Sequence, residues 1–316
     1  MYKYDKGYFD KRASETGFIR DNIEKVYRLG DVLEYLNRNP LHRDRLALKG
    51  GTAINLLIFD MPRLSVDIDL DFCLNVDREE MLEQRSHINR DLLTYLQTQG
   101  YLLRPEKGKS PHSLDSWVFE YVNSAGNKDN IKIEINYSMR AHIFPIAEMA
   151  IRTDLIDRDF MVRSLTQLEL FGSKINALIG RTAARDLYDV DNMIKREVFL
   201  QSEWQLLRKC ILFYYTVGGS KAFSTEINYG GIGKLKWMHI KQTLIPMLRR
   251  SEQFNLDESK IRVIEFLQTI LTLDDNEREY LERFEKKEFI PELLFSEPAI
   301  VDRIREHPMA IWKMRG

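Results

Sequence analysis

The sequence KGGT occupies residues 49–52, and RLSVDIDLD occupies residues 63–71. Apolar and acidic residues alternate at the end of the second stretch. Because a β-strand directs successive side chains to opposite faces, Asp67, Asp69 and Asp71 are predicted to share one face. Carboxylates about 7 Å apart along a strand repel one another unless a cation lies among them. Oxygen ligands without His or Cys favour Mg²⁺ or Mn²⁺, so the pattern predicts a hard-metal site.

The glycine pair follows a short predicted strand at residues 46–48 and opens a predicted helix at residues 52–59. The N-terminus of a helix offers N–H groups and a positive dipole end, which suit a phosphate group. A glycine pair at such a junction is, on its own, more often only a tight turn. No Walker loop or dinucleotide-binding fingerprint occurs around it. Beside a carboxylate strand, the turn predicts a site for a nucleoside triphosphate.

Other interpretations of the acidic strand fit less well. A solvent-facing strand is the ordinary alternative, but strands are depleted in Asp. An EF-hand calcium loop needs Gly at its sixth position and Glu at its twelfth. Counted from Asp67, those positions hold Phe72 and Arg78. Phosphatases that form an acyl-phosphate also begin with D-x-D, but they do not explain the glycine turn.

A second alternating strand is predicted at residues 131–137, with Glu134 in the middle of its polar face. A lone Glu in a strand is usually a surface residue. Here we expect the strand to form a hairpin with residues 117–122 and to lie beside the acidic strand. Glu134 could then complete a two-metal site or take the proton of an attacking hydroxyl.

The length and composition of the chain limit the number of domains and the possible class of protein. A chain of 316 residues is long for one core and suits two domains. The net charge of −1 neither supports nor excludes a nucleic-acid partner. Cys73 and Cys210 are predicted to be buried free thiols in a reducing compartment. We see no signal peptide and no apolar run long enough to span a bilayer, so we expect a cytoplasmic protein.

These elements resemble the polymerase-β-type nucleotidyltransferase superfamily, with its helix-opening glycine turn, D-x-D strand and later acidic strand. More narrowly, the chain resembles the AbiEii/AbiGii (MenT-like) toxins of bacterial abortive-infection and toxin–antitoxin systems. The resemblance extends from about residue 40 to about residue 200. It rests on KGGTA at 49–53, RLSVDIDL at 63–70, KINALIGR at 174–181 and RDLYDV at 185–190.

The resemblance implies an α+β fold: a nucleotidyltransferase-type mixed sheet with flanking helices in residues 1–165, and an all-helical domain in residues 166–316. It also implies an Mg²⁺- or Mn²⁺-dependent toxin that transfers NMP from an NTP to an RNA acceptor, the tRNA 3′ end, in phage defence. A cognate antitoxin of winged-helix type is the implied partner. We expect a monomer. The alternatives are nucleotidylation of a small molecule or protein, a kinase-like phosphotransferase, and a non-catalytic nucleotide-binding protein.

The resemblance also assigns roles to residues. Lys174 is implied as a triphosphate-binding residue, although its ordinary alternative is a solvated lysine. One acid of the later block is implied at the active site, and we favour Asp186 over Asp189. Arg63 and Ser65 could touch phosphate or brace the turn. The predicted metal ligands are Asp67, Asp69 and Glu134; the catalytic set adds Lys174 and Asp186; the nucleotide-binding residues are Gly50, Gly51, Thr52, Arg63, Ser65 and Lys174.

Basic residues that an RNA could contact occur in two segments, although such runs are usually solvated faces. The first combines them with an aromatic side chain and a histidine, and the second is a loop. They are Lys234, Lys236, Trp237, His239, Lys241, Arg249 and Arg250 in the first, and Arg104, Lys107 and Lys109 in the second.

Overall fold

The acidic strand lies inside a mixed β-sheet. The computed structural model describes residues 3–108, 113–153, 155–156, 158–218 and 223–315, so the predicted RNA contact Lys109 lies outside it. The described strands are β1 (Leu46–Lys49), β2 (Asp67–Phe72), β3 (Leu102–Leu103), β4 (Leu114–Val122), β5 (Lys128–Asn136), β6 (Ala147–Ala150) and β7 (Met161–Ser164). These seven strands form one sheet in the order β3-β4-β5-β2-β1-β7-β6.

Strand β2 has β1 as an antiparallel neighbour and β5 as a parallel one. In this register Asp69 faces Lys49 on β1 and Glu134 on β5. Strands β4 and β5 form an antiparallel pair, so the predicted hairpin and its place beside the acidic strand are confirmed. The apolar side of β2 is buried at Ile68 and Leu70, as strict alternation requires.

The helices fall before, between and after the strands. Their bounds are α1 (Lys6–Thr16), α2 (Arg20–Arg38), α3 (Pro40–Arg43), α4 (Gly50–Ala53), α5 (Arg78–Thr98), α6 (Gln167–Arg181), α7 (Ala184–Lys195), α8 (Trp204–Val217), α9 (Trp237–Thr243), α10 (Leu256–Ile270), α11 (Asp275–Glu285), α12 (Pro298–Ile304) and α13 (Pro308–Arg315). Helix α4 continues into a π-helical turn, Ile54–Ile58. Single 3₁₀ turns occur at Pro105–Lys107, Gln201–Glu203, Ile232–Lys234, Ile245–Met247 and Pro291–Leu293.

The chain divides into two compact units. The first consists of Met1–Arg140, Ile146–Ser164 and Met247–Glu252, and it contains all seven described strands with α1 to α5. The second consists of Ala141–Pro145, Leu165–Pro246 and Gln253–Gly316. Its described regular elements are helices. The mixed sheet with helices, followed by a helical part of the chain, confirms the predicted α+β class.

Inside the second unit, helix α6 packs closely on α8. A Cβ added at Gly172 would come within 2.8 Å of the Cys210 Cβ, so only glycine permits this approach. Cys210 is a buried free thiol, as predicted, and burial raises its pKa well above the usual value. Cys73, in contrast, is only half-buried. Among the described residues, no helix has the length and apolar character that crossing a membrane requires.

Candidate active site

The glycine turn lies directly against the acidic strand. Gly50 adopts a left-handed backbone with φ of 73°, which favours glycine over any residue with a Cβ. A Cβ built on Gly50 would be only 2.7 Å from Oδ2 of Asp69. The turn and the D-x-D strand therefore meet at one place, as the sequence predicts.

The second glycine is required by what lies beneath the turn. A Cβ on Gly51 would meet Nη2 of Arg63 at 2.8 Å and Oγ of Ser65 at 3.1 Å. Arg63 is buried and donates a hydrogen bond from Nη1 to the carbonyl oxygen of Leu64 at 3.1 Å. Arg63 and Ser65 thus support the turn from inside the protein, which favours the bracing role over a phosphate contact.

The side chain of Thr52 also points into the protein. Its Oγ1 donates to the carbonyl oxygen of Asp67 at 2.5 Å and lies 3.0 Å from Oγ of Ser65. Thr52 is buried, so its hydroxyl links the turn to the start of β2. Any part that Thr52 takes in binding phosphate would fall to its backbone N–H group, since the hydroxyl is engaged internally.

Two of the predicted carboxylates differ strongly in acidity. Burial and the charges of Glu134 and Asp67 together raise the pKa of Asp69 to about 6, although the charge of Lys49 opposes the rise. Burial also acts to raise the pKa of Glu134, but hydrogen bonds with Lys132 and Ser116 outweigh it and lower that pKa. Asp69 is therefore the carboxylate that takes up a proton first as the pH falls.

Two lysines balance this negative charge, and neither was predicted as a site residue. Lys49 Nζ lies 2.5 Å from Oδ1 of the buried Asp71, so this third aspartate of the strand is the ion-pair partner of Lys49. Lys132 Nζ lies 3.0 Å from Oε1 of Glu134. Lys132 precedes Glu134 by two residues on the same strand, so the period of a strand could have indicated their shared face.

No group of three or more His, Cys, Asp or Glu side chains is arranged to hold a metal ion in the described part of the chain. The role of Asp67, Asp69 and Glu134 as metal ligands therefore stays a prediction. The donor set nevertheless fits a hard divalent cation. Its oxygens come from neighbouring strands, and the charged form of the half-buried Asp69 is disfavoured by desolvation and by two further carboxylates.

The second unit gathers the later predicted residues into one cluster. Lys174 on α6 is only 7% exposed, so the solvated alternative is wrong. Its Nζ lies 2.9 Å from Oδ1 of Asp186 and 3.1 Å from Oδ2 of Asp189, both on α7. Burial opposes ionisation of Asp186, but Lys174 and Arg181 outweigh it and lower the pKa of Asp186 to about 2. Both carboxylates thus pair with the ammonium group of Lys174.

Arg181 is the residue of this cluster that sequence reasoning missed. Its Nε and Nη2 donate to the two carboxylate oxygens of Asp186 at 2.6 and 2.9 Å. The Arg181 side chain is 65% exposed, whereas that of Lys174 is buried. Arg181 follows Lys174 by seven residues, about two helical turns, so helix periodicity could have placed both on one face. Arg181 presents the accessible positive charge of the cluster.

Comparisons with known proteins identify a family and a similar fold. A family model described as nucleotidyl transferase AbiEii toxin, type IV TA system, matches residues 32–291. Among solved structures, the chain is similar to MenT4, a nucleotidyltransferase toxin from Mycobacterium tuberculosis H37Rv. The TM-score is 0.65 at 15% identity, over 98% of this chain and 99% of that one, and at this identity the likeness shows the fold. The search of curated proteins found no match.

Proposed function

The chain belongs to the AbiEii family of nucleotidyltransferase toxins of type IV toxin–antitoxin systems, and we propose that it transfers NMP from an NTP to the 3′ hydroxyl of an RNA, with tRNA as acceptor. The observation that carries the proposal is the contact of Gly50 with Asp69, since it joins a phosphate-type turn to paired carboxylates. In the reaction, the acceptor oxygen bonds to the α-phosphorus. The bond from that phosphorus to the bridging oxygen breaks, and pyrophosphate leaves with the electron pair.

Asp67 and Asp69 are the proposed ligands of Mg²⁺ or Mn²⁺, which when bound would neutralise charge on the triphosphate and the leaving group. Glu134 fits a further ligand better than a general base. Its lowered pKa keeps it ionised, and a general base works best when its pKa is near the working pH. We therefore assign the proton of the acceptor hydroxyl to solvent.

Phosphate binding is assigned to backbone and cationic groups. The N–H groups of Gly50 and Gly51 would contact phosphate oxygens at the start of α4. Lys174 and Arg181 of the second unit are proposed as triphosphate-binding residues, with Arg181 making the accessible contact and Asp186 holding both cations in place. We also propose a cognate antitoxin of winged-helix type as the partner of this toxin.

The test uses purified protein, Mg²⁺, each of the four NTPs and total tRNA, with the label placed on the α- or the γ-phosphate. NMP transfer leaves only the α-label on RNA, whereas a kinase-like reaction leaves the γ-label. Periodate-treated tRNA, which lacks the 3′ diol, is the matched acceptor control, and Asp67→Asn is the enzyme control. The proposal is rejected if γ-label appears on RNA, or if α-label appears on protein or small molecules but never on untreated RNA.

A further inference from the structure

One exposed segment of the second unit is depleted of negative charge. No Asp or Glu occurs from residue 227 to residue 251, in a chain with 48 acidic residues among 316. Three lysines, Lys234, Lys236 and Lys241, lie in the part of this stretch that belongs to the second unit. Within the described residues, none of the three has a carboxylate within 4.0 Å. Their charge is therefore available to an outside partner.

The same segment exposes apolar side chains on a helix that buried residues hold in place. Ile240 and Leu244 are fully buried one helical turn apart, and they anchor the inner side of α9. On its outer side Trp237 is 50% exposed and Met238 is 64% exposed. Lys241 is also exposed, one turn after Trp237. Adjacent exposed apolar side chains such as Trp237 and Met238 are typical of a surface that meets a partner.

This surface adjoins the charged cluster of Lys174, Arg181, Asp186 and Asp189 in the same unit. Helix α9 packs on α7, which carries Asp186 and Asp189. Just before it, a Cβ on Gly231 would come within 2.8 Å of Oγ1 of Thr182, the residue that follows Arg181 at the end of α6. An RNA held on α9 would thus lie close to the residues assigned above to the triphosphate.

We propose that residues 234–243 bind the single-stranded 3′ end of the acceptor RNA. The inference rests on the proposed function. Lysines would pair with successive phosphates, and Trp237 would stack on a base, the combination that proteins use for single-stranded nucleic acid. Unpaired lysines alone would also suit an acidic peptide, but the exposed indole gives a flat face that a nucleobase matches.

The experiment measures the affinity of the intact protein for a short fluorescein-labelled single-stranded RNA with a free 3′ hydroxyl. Trp237→Ala and the triple change Lys234→Glu, Lys236→Glu and Lys241→Glu are each expected to weaken binding by about tenfold or more. The triple variant should also lower the slope of log Kd against log salt by about 2, from three lost phosphate contacts. Trp312→Ala and Lys286→Glu are controls, because Trp312 is exposed on α13 and Lys286 is exposed directly after the end of α11.

In the transfer assay, the variants should raise the KM for RNA while the KM for NTP and the kcat at saturating RNA stay unchanged. Unaltered RNA affinity in both variants, with circular dichroism showing native folding, overturns the proposal and leaves the surface to an acidic protein. Should the triple variant fail to fold, Trp237→Ala and Lys236→Gln decide alone. Wild-type protein that binds RNA through this surface without transferring NMP would refute the proposed function instead.

Discussion

Replacing Gly50 by alanine tests the contact between the turn and the acidic strand. The new Cβ would lie 2.7 Å from Oδ2 of Asp69, whereas ordinary contact begins near 3.4 Å, so the carboxylate must move by about 0.7 Å. Misplacement of a reacting group by about 1 Å can lower a rate by about 10²-fold. We therefore expect NMP transfer to fall by about 10- to 100-fold, measured with α-labelled NTP at saturating substrate concentrations.

The backbone strain of this variant has a matched control. Gly126 has φ of 84°, and a Cβ built there meets nothing within 4 Å. Both alanine variants should lose about 1–2 kcal/mol of unfolding free energy in urea, because each forces a Cβ into the left-handed region. Only Gly50→Ala should lose transfer activity. Equal activity of the two variants would refute the idea that Gly50 leaves room for the Asp69 carboxylate.

Four further predictions concern the glycine turn with its acidic strand and the cluster around Lys174. Asp69→Asn should abolish transfer yet stabilise the ligand-free protein by about 1–3 kcal/mol above pH 6, because the native state disfavours its ionised form. That gain should shrink as the pH falls from about 6 to about 4, and thermal melts that show no pH-dependent gain would contradict it. Lys174→Met should cost about 3–5 kcal/mol in urea unfolding, because it leaves two buried carboxylates without their shared cation, and near-native stability would be inconsistent with that pairing. The pKa of Asp186 is about 2, so its contribution to stability is present above about pH 4 and is lost as the pH falls toward 2; Asp186→Asn should flatten this part of an acid titration. Thr52→Val should cost about 1 kcal/mol through the lost hydrogen bond to the Asp67 carbonyl, Thr52→Ser should restore it, and an unchanged midpoint in Thr52→Val would count against the bracing role.

The parts of the fold that the sequence predicts are those with a local period. Alternation of side chains gives β2 and the central part of β5, because side-chain direction in a strand repeats every two residues. The helix cap at Asp77 is another local feature, since its carboxylate accepts from the N–H of Glu80 three residues later. The fold class follows from the order of these elements.

The features that the sequence does not predict depend on contacts between residues far apart in sequence. Nothing local indicates that Thr52 donates to Asp67 or that Lys49 pairs with Asp71, because each contact needs the β1–β2 register. The burial of Lys174 is likewise a property of packing between α6 and α7. Sequence patterns identify the chemical types at the site, while the pairing of charges is decided by tertiary structure.

The short segment Met247–Glu252 has a further consequence for how this toxin can fold. It belongs to the first unit, where the N–H of Leu64 donates to the carbonyl oxygen of Met247 at 2.8 Å and Leu248 forms a bridge with Arg63. The support beneath the glycine turn is therefore completed only by a segment of the chain that is synthesised some 180 residues later. A nascent chain in which this segment has not yet been made would lack a finished site, which delays toxicity until the segment has been synthesised and has folded against Arg63 and Leu64.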